Sequence, residues 1–181
     1  MNESNTHLLD NGDAPASEAD VHTLLETLGI QYETHHHAAV FTVEQAKAER
    51  GNAAGSHIKN LFLRNKKGVM WVVTCHEDRQ IDLKELAGHL GTNRLSFASP
   101  ERMMRYLGVI PGAVTPLAAM NDHGSKVTMV LDEAVLQDDI INVHPLHNAA
   151  TTIMAPTDLV RFLTAVDHTP LIINMDAYSS L

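Results

Sequence analysis

The chain of 181 residues contains a single cysteine, Cys75, so a disulfide bond within the chain is excluded and we expect a cytoplasmic protein. It lacks any apolar run near the roughly 20 residues that a membrane-spanning helix needs. The N-terminus has neither Lys or Arg nor an apolar segment, which argues against a secretory signal. Length and the hydrophobic share of 44% instead suit one globular domain with a real core.

Positive charge is scarce as well. The chain has 13 Lys and Arg against 22 Asp and Glu, for a net charge of −9. Residues 1–46 hold eight acidic residues and no Lys or Arg, whereas the rest holds 14 acidic and 13 basic residues. This balance argues against a large footprint on nucleic-acid phosphates, but it is compatible with a nucleic acid that is contacted mainly at one end.

Several familiar catalytic motifs are absent. The chain has no Gly-x-Ser-x-Gly elbow, no phosphate-binding Walker loop and no dinucleotide fingerprint. Cys75 has no recognisable activating base, so we do not expect a thiol nucleophile. Three consecutive histidines, His35, His36 and His37, cannot converge on one metal from a regular strand, because neighbouring side chains point to opposite faces. We therefore expect no metal and no cofactor.

Patterning predicts a polar, mobile tail over residues 1–16 and one mixed α/β domain over residues 17–181 with a mostly antiparallel sheet. Ser17, Thr42, Asp82 and Thr157 are the predicted helix caps, and Ser99-Pro100 is predicted to start a further helix. The predicted helices end near residues 29, 50, 90, 108 and 166. Strands are predicted over 30–35, 57–64, 69–74, 127–131, 140–143, 151–154 and 171–174.

Three segments are candidates for chemistry. Lys59 shares a predicted strand face with leucines, so its ammonium either reaches out to solvent or is held at the mouth of a cleft. The loop 108–116 is dense in Gly and Pro, so it is either a structural turn or a rigid frame that presents backbone groups to a substrate. His144 precedes Pro145 at the end of a strand, where it either satisfies local backbone groups or exchanges a proton near neutral pH.

The combination and order of these segments resemble the YbaK/prolyl-tRNA synthetase-associated editing family. The similarity covers about residues 20–174 and is carried by the stretches 56–63 (SHIKNLFL), 82–86 (DLKEL), 95–98 (LSFA), 108–116 (GVIPGAVTP), 130–132 (VLD) and 144–148 (HPLHN). The branch it is most similar to contains the PrdX-like, free-standing alanyl-tRNA(Pro) deacylases. The resemblance implies a compact domain with a curved, mostly antiparallel sheet surrounded by helices.

The resemblance also implies the site. Lys59 would be required for editing near the terminal nucleotide, Gly112 would present its loop to the aminoacyl end, and His144 would line the amino-acid pocket. The implied substrate-binding residues are Asn60, Gly108, Ala113, Val114, Thr115, Pro116 and Asn148. Ala149 departs from the family pattern, because a Thr is frequent there, and Thr151 and Thr152 are the nearby hydroxyls. No cofactor is implied.

The function expected from this resemblance is the hydrolysis of mischarged Ala-tRNA(Pro), whose acceptor end would be the main contact. A Cys- or Ser-specific deacylase, a non-catalytic adaptor that binds tRNA or a synthetase, and a metallohydrolase built on the histidines remain the alternatives. Whether prolyl-tRNA synthetase or an elongation factor is a partner stays open. The candidate contacts to the tRNA body, which are otherwise solvated surface, are Arg64, Lys66, Lys67, Arg102 and Arg105.

Overall fold

The computed structural model describes residues 7–50 and 54–177. Its helices are α1 (Glu18–Thr27), α2 (Val43–Arg50), α3 (Leu83–His89), α4 (Pro100–Arg102) and α5 (Pro156–Ala165). Its strands are β1 (Tyr32–His36), β2 (Ser56–Arg64), β3 (Met70–His76), β4 (Ser96–Phe97), β5 (Val127–Asp132), β6 (Ile141–Val143), β7 (Ala150–Met154) and β8 (Leu171–Ile173). A π-helical turn (Met103–Leu107) follows α4, and 3₁₀ helices cover Pro116–Asn121 and Glu133–Gln137. None of the described helices is long and apolar enough to cross a membrane.

The strands join in one mixed sheet in the order β1-β7-β6-β2-β3-β5-β8, with β4 paired to β2 outside this path. Four of the described pairings are antiparallel and three are parallel. The predicted mixed α/β domain with a mostly antiparallel sheet is therefore confirmed. β2 and β3 form the long central pair, over seven residue pairs from Ile58↔His76 to Arg64↔Met70.

Each face of the central strands packs into its own core, because successive side chains of a strand point to opposite faces. Phe62 and Val72 belong to the larger cluster, which the sheet shares with α1, α5 and the helical turns. Leu63 and Val73 belong to a smaller cluster that is closed by α3. Burial on both faces explains why β3 reads as an almost continuous apolar run rather than an alternating one.

Three predicted helix caps are present with their expected hydrogen bonds, and at Thr42 the hydroxyl accepts from the backbone N–H of Gln45 at 3.1 Å. The Ser17 hydroxyl accepts from the backbone N–H of Asp20, whose carboxylate accepts in turn from the backbone N–H of Ser17. Asp82 accepts from the first-turn backbone N–H groups of α3. The cap predicted at Thr157 is wrong, because Ala155 is the N-cap and Pro156 takes the first helical position, where its missing N–H costs no hydrogen bond.

The segment predicted as a mobile tail packs against the domain over much of its described part. Leu9 is buried, and Asp10 forms ion pairs with Arg105 and Lys126. The backbone N–H of Ala16 donates to the side chain of Asn121 at 2.9 Å. A prediction from polarity alone missed these contacts, because the partners of this segment lie about a hundred residues away in the sequence. Residues 1–6 of the predicted tail and 178–181 of the predicted domain lie outside the described residues.

Short elements escaped the sequence patterns. β4 has two residues and the 3₁₀ helices have five or six, which is too short for a periodicity to show. The helix predicted from Ser99 to Gly108 starts as expected but continues as a π-helical turn, and Gly108 ends it in the left-handed conformation with φ of 64°. A Cβ at Gly108 would lie 2.6 Å from the Asn121 amide, so glycine is required there for packing.

A buried ion pair joins the ends of two loops. His168 Nε2 lies 2.9 Å from Asp122 Oδ2, and both side chains are 2% exposed. Burial by itself lowers the pKa of His168, but the hydrogen bonds to Asp122 and to the Val166 carbonyl outweigh it, so this pKa lies above its usual value. The stabilisation is therefore fully present below the unfolded pKa of about 6.5 and is lost as pH rises through the higher folded pKa.

We expect His168→Gln to lower the free energy of unfolding by about 1–3 kcal/mol, since it leaves the Asp122 carboxylate without its charged partner. The loss should be larger at about pH 6 than at about pH 9, because wild-type His168 loses its charge as pH rises through its folded pKa. Urea denaturation of the variant and wild type at both values measures this. His123→Gln, an exposed neighbour, is the control and should change little. A loss that is equal at both pH values would contradict the assignment of an imidazolium.

Candidate active site

A cavity of about 640 Å³ lies along one edge of β2. On this edge β6 pairs only with Ser56 and His57, and β4 pairs only with Leu63 and Arg64. The stretch of β2 between these pairings has no neighbouring strand on that side, and Ile58, Lys59 and Asn60 line the cavity there. The segments that complete its wall are the end of β1, residues 40–42, the turn 111–114, the end of β6 and part of β7.

The backbone of Asn60 faces this uncovered edge. Residues two apart in a strand present their N–H and C=O groups to the same side. Ser56 donates to Ile140 and Phe62 accepts from Ala98 on the cavity side, whereas His57 accepts from Glu77 on the other. Asn60, in phase with Ser56 and Phe62, therefore directs a backbone donor and acceptor towards the cavity. Its side-chain oxygen accepts from Thr74 at 2.6 Å, which fixes the side chain.

Lys59 is half-buried on the cavity wall, and its ammonium donates to the backbone carbonyl of Arg79. Arg79 is itself held by ion pairs to Asp132 at 2.7 Å and to Asp176 at 2.9 Å. Asp132 is 1% exposed, so this anchor belongs to the core. The sequence left open whether Lys59 reaches solvent or is held at a cleft, and the structure holds it at the cavity.

Cys75 lies directly opposite Lys59 in the β2–β3 register. Burial raises the pKa of the Cys75 thiol to about 11, against the smaller opposing effect of the Lys59 charge. The group is therefore a neutral thiol near neutral pH, and a thiolate is the form that acts as a nucleophile. This chemistry agrees with the expectation that Cys75 is not the nucleophile of the site.

His144 lines the cavity as a neutral imidazole. Its Nδ1 lies 3.0 Å from the carbonyl oxygen of Ala150, which can only accept, so Nδ1 carries the proton. Burial lowers the pKa of His144 below its usual value, against the effect of this hydrogen bond. Nε2 of the same ring is therefore a lone-pair acceptor near neutral pH, suited to receive a hydrogen bond from an ammonium or a water.

Gly112 forms the opposite wall in the left-handed conformation, with φ of 88°. Its Cα faces the backbone of Val40 and Phe41, where an added Cβ would lie 3.5 Å from the Val40 oxygen and 3.4 Å from Phe41 Cα. Asn148 connects these segments. Its side-chain amide donates to the Val40 carbonyl at 2.7 Å, and its backbone carbonyl accepts from the backbone N–H of Val40. The wall is therefore built from contacts between three loops.

Residues 37–162 match the family model described as the aminoacyl-tRNA editing domain, which covers well over half of the chain. The chain belongs to the aminoacyl-tRNA editing domain family. The prolyl-tRNA synthetase associated domain-containing protein 1 of Bos taurus is 41% identical over 157 residues, which cover 84% of this chain and 91% of that protein. The prolyl-tRNA editing protein ProX of Acetoanaerobium sticklandii is 35% identical over 80% of this chain and 89% of its own length.

A solved structure shares the fold of this editing domain. It is described as a candidate trans-editing enzyme for prolyl tRNA synthetase and aligns with a TM-score of 0.67. The alignment covers 90% of this chain and 98% of that one at 21% sequence identity. At this identity the likeness supports the fold alone.

The cavity brings together five of the ten residues that the sequence nominated. Lys59, Asn60, Gly112, Val114 and His144 all line the cavity. The other five lie behind its wall, because Ala113, Thr115 and Pro116 are buried in the core, Gly108 packs against Asn121, and Asn148 supports the Val40 loop. A contiguous sequence motif therefore contains both wall residues and the residues that hold them.

Sequence reasoning missed several wall residues, among them His37, Phe41 and Phe97. His37 bonds the Ala38 carbonyl through Nδ1 and the Thr151 hydroxyl through Nε2, at 2.8 and 2.9 Å. Thr151 thus supplies the hydroxyl on the cavity wall, while Thr152 is buried against Thr34. Phe41 and Phe97 are each 61% exposed in the structure. The sequence around them shows no periodicity, so this exposure could not be predicted from it.

The three consecutive histidines take separate partners. His36 pairs with Glu18 at 2.8 Å, His37 bonds Thr151, and His35 lies near Glu33 at 3.7 Å. Within residues 7–50 and 54–177, no group of three or more His, Cys, Asp or Glu side chains is arranged to hold a metal ion.

We expect Gly112→Ala to reduce aminoacyl-tRNA deacylation, because a side chain at φ of 88° costs about 1–2 kcal/mol, and relief of this strain shifts the turn that lines the cavity. Steady-state kinetics and a thermal unfolding curve measure the two effects. Gly29→Ala is the matched control, since Gly29 has φ of 66° with open space around it far from the cavity. Both variants should lose stability, and only Gly112→Ala should lose activity. Equal activity in the two variants would remove Gly112 from the site.

Proposed function

We propose that this protein hydrolyses the ester bond between a misattached amino acid, alanine, and the terminal adenosine of proline tRNA. The observation that carries the proposal is the uncovered edge of β2 in a member of the editing-domain family. There Lys59, whose ammonium donates to the Arg79 carbonyl, and the backbone of Asn60 line one side of a cavity whose other wall holds the neutral acceptor of His144.

The chemistry needs positioning more than a protein nucleophile. An aminoacyl ester is already activated, so a water can attack its carbonyl carbon once the ester is held and the developing oxyanion is stabilised. Water adds to the carbonyl carbon and gives up a proton, which forms a tetrahedral oxyanion. Collapse of this intermediate breaks the bond to the ribose oxygen, and that oxygen takes a proton. The products are the free amino acid and a tRNA with a free terminal hydroxyl. This route is compatible with a Cys75 that stays protonated.

Each cavity group has a distinct task in this proposal. Lys59 and the backbone N–H of Asn60 donate to the oxyanion or to the adjoining phosphate, where preorganised donors have their largest effect. His144 Nε2 accepts from the α-ammonium of the amino acid, which its neutral form allows. The Gly112 turn presents backbone groups close to the substrate, since glycine has no side chain to separate them.

Alanine follows from size discrimination. A synthetase site built for proline rejects a smaller amino acid poorly, because each missing methylene changes binding by only about 1–3 kcal/mol. A second site that is too small for the proline ring can release alanine. Correctly charged prolyl-tRNA stays intact there because its amino acid does not fit. Serine is larger than alanine by one hydroxyl, so we expect it to be released more slowly.

Lys59→Met should lower kcat/KM for Ala-tRNA(Pro) on the order of 100-fold, because it removes one oxyanion or phosphate donor and keeps the apolar stem. Thermal unfolding should show a folded variant. Lys84→Met, an exposed lysine on α3, is the matched control and should retain wild-type kinetics. A Lys59→Met variant with undiminished turnover would refute the role of the ammonium and favour a non-catalytic adaptor.

The amino acid is identified by incubating wild-type protein with proline tRNA charged with Ala, Ser, Cys or Pro. We expect rapid release of alanine, slower release of serine and no release of proline, with rates that a chelator leaves unchanged. Release of cysteine alone would replace alanine as the substrate. A rate abolished by chelation would instead indicate a metallohydrolase.

A further inference from the structure

The basic side chains of the described residues fall into those with an acidic partner and those without one. Ion pairs within 4.0 Å engage Lys47, Arg79, Arg105, Lys126 and Arg161. No such acidic partner appears, among the described residues, for a second group that we call the hairpin basic patch: Arg64, Lys66, Lys67, Arg94 and Arg102.

The hairpin basic patch is brought together by the β2–β3 hairpin. Lys66 and Lys67 lie in its turn, and Arg64 ends β2 opposite Met70. Asn65 donates to Thr92 at 3.1 Å, which holds the segment that carries Arg94 against the same turn.

Two further contacts complete the group. Ser96, two residues after Arg94, pairs with Arg64 across β2 and β4. The Arg102 guanidinium lies 3.7 Å from the sulfur of Met70, the residue opposite Arg64. Five cations from three separate stretches of sequence therefore lie around one end of the sheet.

Acidic residues are absent from the sequence around this group. Residues 54–76 and 86–100 contain no Asp or Glu, in a chain whose net charge is −9. The nearest acidic residue in sequence is Glu101, beside Arg102. Lys66, Lys67 and Arg94 are exposed. A concentrated positive surface on an acidic protein binds anions selectively, and it does so more weakly as salt is added.

The hairpin basic patch adjoins the cavity. Phe97, which lines the cavity mouth, pairs with Leu63 next to Arg64. Along β2 the step from Lys59 to Arg64 is five residues, or about 16 Å at roughly 3.3 Å per residue. Stacked nucleotides advance by about 3.4 Å each, so this distance corresponds to roughly five nucleotides counted back from the reacting end. A strand whose end occupies the cavity reaches this surface as it enters a duplex.

We propose that the hairpin basic patch binds the phosphate backbone of the tRNA acceptor stem whose 3′ end occupies the cavity. The proposal rests on the proposed function for the identity of that end. Lysine and arginine contact phosphates without reading bases, so this surface supplies affinity and orientation rather than the choice of tRNA. Arg105, which the sequence nominated for the tRNA body, is excluded because Asp10 neutralises it, and Arg94 takes its place.

The test measures binding and hydrolysis separately. Binding of uncharged proline tRNA is followed by fluorescence anisotropy over a range of salt concentrations for wild type, the triple variant Lys66→Ala, Lys67→Ala, Arg94→Ala and the control Lys84→Ala. We expect the triple variant to bind on the order of tenfold more weakly at low salt, with a salt dependence reduced by about one unit of slope per lost contact. Lys84→Ala should match wild type.

Hydrolysis is then compared on alanyl-tRNA(Pro) and on alanyl-adenosine, which has no stem. The triple variant should show a raised KM and an unchanged kcat on the tRNA, and wild-type kinetics on the small ester. Equal affinity, salt slope and KM in the triple variant and wild type would overturn the proposal. A wild type that binds tRNA through this surface but hydrolyses neither ester would refute the proposed function and leave the binding surface supported.

Discussion

The site depends on an interrupted strand pairing. On one edge of β2 the partner strands β6 and β4 each cover only two residues, and between them the sheet has no neighbour on that side. A backbone edge buried against other protein would need its hydrogen bonds satisfied, whereas an edge that opens onto a cavity can offer them to a ligand. The gap thus supplies both the volume of the cavity and the backbone groups at Asn60. Lys59 lies two residues after His57, the last residue of β2 that pairs with β6, and His144 directly follows Val143 at the end of β6.

Groups outside the cavity fix the tautomer of His144 and the position of the Lys59 ammonium. His147 accepts from the backbone N–H of Ala149 through Nδ1, so its Nε2 carries the proton that bonds Glu18 at 2.5 Å. This pair holds the turn that ends at Ala150, whose carbonyl fixes the tautomer of His144. Arg79 acts likewise on Lys59, since its ion pair with Asp132 anchors the carbonyl that receives the ammonium. Both site residues are therefore held by contacts that do not touch the substrate.

Sequence patterns predicted what depends on neighbouring residues, such as the capped helices that begin after Ser17 and Asp82 and the strands of the central sheet. They failed where distant residues decide. Polarity suggested a mobile tail, but Asp10 meets its two cations about a hundred residues away. The candidate site residues were predicted from family resemblance, which marks Gly108 and Asn148 along with Lys59 although only Lys59 of these three lines the cavity. Only tertiary geometry separates the two groups, and only it shows that Thr151 rather than Thr152 faces the cavity.

Net charge is a poor guide to nucleic-acid binding in this protein because its charges are segregated. Part of the acidic excess in residues 1–46 is engaged in internal pairs, as Asp10 binds Arg105 and Lys126 and Glu18 binds His36 and His147. These pairs neutralise Arg105 and Lys126, whereas the hairpin basic patch has no acidic partner among the described residues. At about 0.15 M salt, charges separated by more than roughly 8 Å are largely screened from each other. A phosphate at the hairpin therefore responds to its local cations, and the overall charge of −9 does not prevent binding there.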